Sequence, residues 1–174
     1  MATSTIIDYR RYDYMRTLWT PYWMVSSEIS AVDSDDLFAL CFQFPAADYG
    51  TRSILIEKIA FQVTEAFAGG TITVNVGAAT IATTDDGEDG DTATDVDQDE
   101  YIPTADITSG STGTYFAATG DWITQRLLQT NGAPCLVTPA DSTVPCVGVW
   151  VASDATITAG KGRIIMQVTE VPTL

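Results

Sequence analysis

Apolar and polar residues alternate along much of the chain, and the alternation has period two. Ile59, Phe61 and Val63 alternate with Lys58, Ala60, Gln62 and Thr64. That is the signature of a strand with one buried and one wet face. Ile54 and Ile56 sit on the opposite parity, so a β-bulge near Glu57–Lys58 is needed to keep one continuous core face. After Gly69-Gly70 the alternation resumes with Ile72, Val74 and Val76 against Thr71, Thr73 and Asn75. Two such runs joined by Gly-Gly predict a β-hairpin. Val147, Val149 and Val151 repeat the pattern, and Ser153-Asp154 marks a turn. A short strand over 156–158, a hairpin turn at Gly160-Lys161-Gly162 and a last strand from Arg163 to Val171 follow. Pro172 ends that strand because it has no N–H for the ladder. Leu37 to Phe44 is nearly all apolar, which suits a central strand. Residues 121–128 fit either a short helix capped by Asp121 or a strand through Trp122-Ile123-Thr124.

Helical periodicity is otherwise almost missing. Short strands separated by Gly, Pro, Asp and Ser predict an all-β fold, a β-sandwich or jelly roll. Composition divides the chain at residue 36. Residues 1–36 are aromatic and read as an extended N-terminal arm. Residues 37–174 read as the sandwich, with an acidic loop at 84–106.

Charge narrows the function. The 174 residues hold 8 Lys plus Arg against 23 Asp plus Glu, a formal charge of −15, and no histidine. Such a chain repels phosphate, which disfavours nucleic-acid binding through a basic surface and docking on anionic membranes. Without histidine there is no Ser-His-Asp triad, Cys-His dyad or His metal site. Carboxylate catalysis needs no histidine. However, Asp91-Thr92 and Asp141-Ser142 both lack the Gly of an aspartic-protease motif, and no acidic pair stands out. The expectation is a non-enzyme without cofactor, metal or catalytic residue. Threonine, present 26 times, supplies polar strand faces without charge. Charged residues within the first twenty positions leave no room for a signal peptide, and no apolar run approaches a membrane span. The three cysteines, Cys41, Cys135 and Cys146, read as small buried apolar residues of a reducing cytoplasm, with a Cys135–Cys146 bridge as the alternative.

Two segments invite functional readings. Asp95-x-Asp97-x-Asp99 with Asp106 partly matches a calcium loop, but Glu100 occupies the position of the sharp-turn Gly. The plainer reading is a solvated loop held open by its own repulsion, and a third is docking on a basic partner. The N-terminal segment interleaves Arg10, Arg11 and Arg16 with Tyr9, Tyr12, Tyr14, Trp19, Tyr22 and Trp23. These residue types dominate protein–protein hot spots. They predict an intersubunit contact. The alternatives are packing on the chain's own core and single-strand stacking, which the net charge opposes.

The stretch from Ile54 to Gly77, ILIEKIAFQVTEAFAGGTITVNVG, resembles a pattern in small virion proteins of tailed bacteriophages. There, a strand ending in V-T-E-A-F meets a Gly-rich turn and a Thr-rich strand ending in V-G. The stretch from Thr156 to Val168, TITAGKGRIIMQV, resembles the last hairpin of the same proteins. The resemblance implies a capsid decoration (cement) protein on the outer surface of a phage head, made in the host cytoplasm. Its implied partners are the major capsid protein and further copies of itself as a homotrimer. A head- or tail-fibre module that binds a receptor or glycan is the alternative.

Overall fold

The computed structural model describes residues 20–82, 94–117, 127, 135–141 and 143–172. Ten strands and one helical turn follow in order: β1 (Pro21–Val25), β2 (Ile29–Ser30), β3 (Asp36–Gln43), α1 (Ala46–Tyr49), β4 (Arg52–Ala68), β5 (Ile72–Ala82), β6 (Thr94–Asp106), β7 (Tyr115–Phe116), β8 (Cys135–Val137), β9 (Thr143–Ser153) and β10 (Ala159–Pro172). They form two antiparallel sheets. Sheet A has the order β1-β10-β4-β7, with β2 also on β10 and β8 also on β4; sheet B has the order β3-β9-β5-β6. The pairs β1·β10, β3·β9, β4 with β7 and β8, and β5·β6 are nested like the arms of one long hairpin. Folding that hairpin over adds β10·β4 and β9·β5, which makes the sandwich a jelly roll.

The core lies between the sheets and is built from the alternating positions. Ile54, Ile56, Phe61 and Val63 of β4 are fully buried, and Ile59 is nearly so. Both parities reach the core because the β4–β10 register slips between Gln167↔Lys58 and Val168↔Ile56, leaving Glu57 as the bulged residue. Without that slip, Ile54 and Ile56 would face solvent, forfeiting roughly 1.5–3 kcal/mol each. Ile72, Val74 and Val76 close the core from β5, and Ile164, Met166 and Val168 from β10.

The Gly69-Gly70 connection differs from the hairpin expected there. β4 belongs to sheet A and β5 to sheet B, so the chain crosses the sandwich at the two glycines. Their φ angles are 107° and 113°. The corner docks on the β9–β10 connection: Thr158 N–H donates to Ala68 O (2.8 Å), and Thr71 N–H donates to Asp154 Oδ1 (2.7 Å). Alternation reports a strand's faces but not its partner, and the true partners, β9 and β10, lie far along the chain.

Gly160-Lys161-Gly162 is likewise not a turn but the start of β10. A Cβ on Gly160 would run into the Phe67 ring, and one on Gly162 into the Phe61 ring. These glycines clear space for two core aromatics. Leu37–Phe44 corresponds to β3, which lies at the border of sheet B among the described strands rather than in its centre. It is apolar on both sides for another reason. Phe42 and Phe44 enter the main core, while Leu40 joins a second cluster on the outer face with Ala79, Ile81, Val144 and Cys146. Phe38 and Trp150 stack beside that cluster, ring centroids 4.6 Å apart, over Gly148.

The composition break at residue 36 is not a structural boundary. β1 and β2, inside the expected arm, pair with β10 and belong to sheet A. The expected loop at 84–106 is a strand from Thr94 onward. The seven steps from Thr73 to Thr80 on β5 face twelve steps on β6, so β6 bulges repeatedly. An irregular, charged strand with Pro103 is a common way to blunt a sheet edge. Residues 83–93 and the helix-or-strand segment 121–128, Trp122 included, lie outside the described residues except for Leu127. Leu127 is buried and donates its N–H to Glu57 O (2.6 Å).

Candidate functional site

The outer face of sheet A carries most of the exposed large apolar side chains. The antiparallel registers fix what stands there. Val25, Ile165 and Ala60 form a row across β1, β10 and β4; Trp23, Gln167 and Lys58 form the next row on one side. On the other side Arg163, Gln62 and Tyr115 run across β10, β4 and β7. Leu136 of β8 stands opposite Leu55, past the Lys58 row. Trp23 is 49% exposed, Leu136 46%, Tyr115 43% and Val25 41%. Rows two residues apart are about 7 Å apart and strands about 4.8 Å apart, so the three rows cover a face of roughly 14 Å in each direction. The polar row is held in place: Arg163 Nε donates to Gln62 Oε1 (2.7 Å), and Gln62 Nε2 donates to Tyr115 Oη (2.7 Å). An apolar centre rimmed by Trp, Tyr and Arg has the anatomy of a protein-binding patch.

The described cations are confined to sheet A, where they share β4 and β10 with Glu57, Glu65 and Glu170. Among the described residues every Lys and Arg lies on β4 or β10: Arg52, Lys58, Lys161 and Arg163. The strands of sheet B carry none, against Asp36, Asp95, Asp97, Asp99, Glu100 and Asp106. Lys161 forms an ion pair with Glu65 at 3.1 Å; the hydrogen bond and charge of Glu65 raise the ammonium's pKa.

Of the N-terminal candidates, the structure describes Tyr22 and Trp23, and it separates them. Trp23 points outward onto the sheet A face. Tyr22, one residue earlier, points toward the core and donates its hydroxyl to Glu170 Oε1 (3.0 Å). Glu170 is only 2% exposed, and Arg52 Nη1 meets its other oxygen at 2.5 Å. Tyr22 is therefore part of its own domain, a pin holding β1 to β10 and β4. Period two explains the split, because neighbouring strand residues face opposite sides. Tyr9, Arg10, Arg11, Tyr12, Tyr14, Arg16 and Trp19 lie outside the described residues. Sequence reading missed Val25, Ile165, Tyr115 and Leu136. Their partners across the sheet come from distant segments, so no local pattern marks them as one surface.

The groups with reactive potential are quiet. All three cysteines are free and buried. Burial raises the Cys41 thiol pKa and pushes Cys135 up to about 11 and Cys146 up to about 12. Thiols kept protonated are poor nucleophiles and metal ligands. Asp97 and Asp99, two of the calcium-loop candidates, stand exposed on an extended strand rather than wrapped around a centre. Among the described residues no three acids or cysteines gather closely enough to hold a metal. A shallow cleft of about 250 Å³ opens where β5, β6, β8 and β9 meet, with Thr80, Glu100, Tyr101 and Thr138 on its walls. Burial and nearby acids raise the Tyr101 hydroxyl's pKa, so it stays protonated. Among the described residues no helix is long and apolar enough to cross a membrane.

No family model and no curated protein matches the chain. Solved structures similar to it include that of infectious bursal disease virus Gx strain. The TM-score is 0.27, with 11% identity over 88% of this chain and 36% of that one. A crystal structure of the infectious bursal disease virus VP2 subviral particle gives a TM-score of 0.20, with 10% identity over 90% of this chain and 34% of that one. The chain thus spans about a third of the length of these viral chains.

Proposed function

We propose that the protein is a structural component of a virion, a capsid decoration (cement) protein. It binds the outer surface of a tailed-phage head and stabilises it through protein–protein contacts. Its partners are the major capsid protein and other copies of itself, as a homotrimer, and it acts without catalysis, cofactor, nucleic acid or membrane. The observation that carries this reading is the outer face of sheet A, where Val25 and Ile165 are rimmed by Trp23, Tyr115 and Arg163. A chain of charge −15 that sets Lys58 and Arg163 in line with exposed Trp23 and Tyr115 is suited to binding protein. The jelly roll is a fold used in capsid and lectin domains, which agrees with a structural role but also suits sugar binding. The stretches at 54–77 and 156–168 add the resemblance to phage virion proteins.

The test is cosedimentation of the purified protein with expanded heads assembled from the capsid protein of the same virus. Saturable binding at a fixed ratio to capsid subunits is expected. Absence of head binding combined with binding to a glycan array would replace this reading with the fibre-module alternative.

A further inference from the structure

We propose that copies of this chain associate face to edge, the outer face of sheet A on one copy meeting the acidic strand β6 on the next. This rests on the self-association proposed above and names the surfaces that would make it. Two copies at −15 each repel at long range, so a contact must pair regions of unlike charge. The outer face of sheet A holds Lys58 and Arg163 in its rows, while the other two described cations, Arg52 and Lys161, are paired with Glu170 and Glu65. Sheet B carries only acids, and its border strand β6 presents Asp97, Asp99 and Asp106 to solvent. Meeting of two sheet A faces would oppose Arg163 and Lys58 to their own copies, and meeting of two β6 edges would oppose carboxylates. Like-charge juxtaposition disfavours both symmetric arrangements.

The remaining arrangement also has suitable chemistry at its centre. Arg163 uses Nε to hold Gln62 Oε1, which fixes the plane of the guanidinium on the outer face. A carboxylate from β6 would meet a pre-oriented fork, the geometry that favours bidentate pairing. Val25 and Ile165 beside it supply apolar area to be covered; Ala60, the third of that row, is already buried. On the β6 side, Pro103 and the repeated register slips discourage simple strand addition, so a side-chain contact is favoured over β-augmentation. Because the two surfaces differ, the contact is head-to-tail, and it closes into a ring or grows into a filament.

The experiment is sedimentation velocity of the full chain across concentration, at low and high salt. It uses the wild type, R163E/K58E, D97K/D99K and an equimolar mixture of the two variants, with circular dichroism to confirm folding. The wild type should associate and should weaken as salt rises. Each variant alone should associate at least tenfold more weakly, and the mixture should recover the wild-type strength of the pairwise contact, since a ring of three cannot alternate two variants. Recovery is the decisive result, since misfolded variants would not restore each other. Wild-type-like association by R163E/K58E, or a mixture no stronger than its parts, would overturn the assignment of surfaces while leaving self-association intact. A wild type that stays monomeric at every concentration would overturn both. R163Q serves as a milder variant should the double reversal fail to fold.

Discussion

Removing the hydroxyl of Tyr22 tests whether the first described strand is pinned to the sandwich from inside. Tyr22 and Arg52 converge on Glu170, which is almost fully buried at the end of β10. A hydrogen bond to a charged acceptor is worth about 1.5–3 kcal/mol. Tyr22 is only half-buried, so Tyr22→Phe should cost about 1.5 kcal/mol. Glu170→Ala removes the carboxylate that both partners share and opens a small void. Breaking a buried pair costs about 3–5 kcal/mol. The Arg52 side chain is 40% exposed, so solvent screening puts the loss near the lower end, about 3 kcal/mol. For a chain of this length 1 kcal/mol corresponds to about 2–4 °C in Tm. Tyr22→Phe should therefore lower Tm by about 3–6 °C and Glu170→Ala by about 6–12 °C. The double variant should fall no further than Glu170→Ala alone, because the same bond cannot be lost twice. Urea unfolding of the four proteins measures the cycle. Strict additivity, with no coupling energy, would refute the idea that Tyr22 acts through Glu170.

Gly162→Ala should destabilise by about 1–3 kcal/mol through collision with the Phe61 ring, and Phe61→Leu in the same chain should recover part of it, as read by thermal melts. Gly69→Ala should also destabilise, by about 1 kcal/mol or more, since φ is 107° and the added Cβ meets the backbone at Thr156; comparable stability in urea would contradict the close approach. The thiols should be unreactive toward a disulfide reagent in the folded protein, and all three should react in denaturant. Their pKa values are raised above the ordinary 9.0, so the protonated form is favoured in the folded state. Their contribution to stability is intact below pH 9 and is lost progressively as pH rises toward 11 to 12. Tm should accordingly fall above pH 9, and a variant with all three cysteines replaced by alanine should show a shallower fall.

Much of the fold was legible because core position is a local property. The parity change between Ile56 and Ile59 located the bulge at Glu57, since only a slip can turn both sets inward. Strand pairing was less legible. Gly69-Gly70 looked like a hairpin turn, yet it is a corner between sheets whose shape is dictated by Asp154 and Thr158, more than eighty residues later. The two glycines of 160–162 looked like turn residues because sequence does not reveal that Phe61 and Phe67 need their space. Acidity concealed the strand at Thr94–Asp106, where edge position tolerates charge. The surface was half visible: Trp23 was singled out by residue type, whereas Val25, Ile165 and Tyr115 became one patch only through pairings across the sheet.

The decoration role stands on attachment to a capsid lattice. Counting the copies of the full chain that remain on expanded heads at saturating protein decides it. A fixed number of copies per capsid subunit, unchanged when the protein concentration is raised further, is the expected result. No retained protein, or retention that climbs without saturating, would contradict the decoration role.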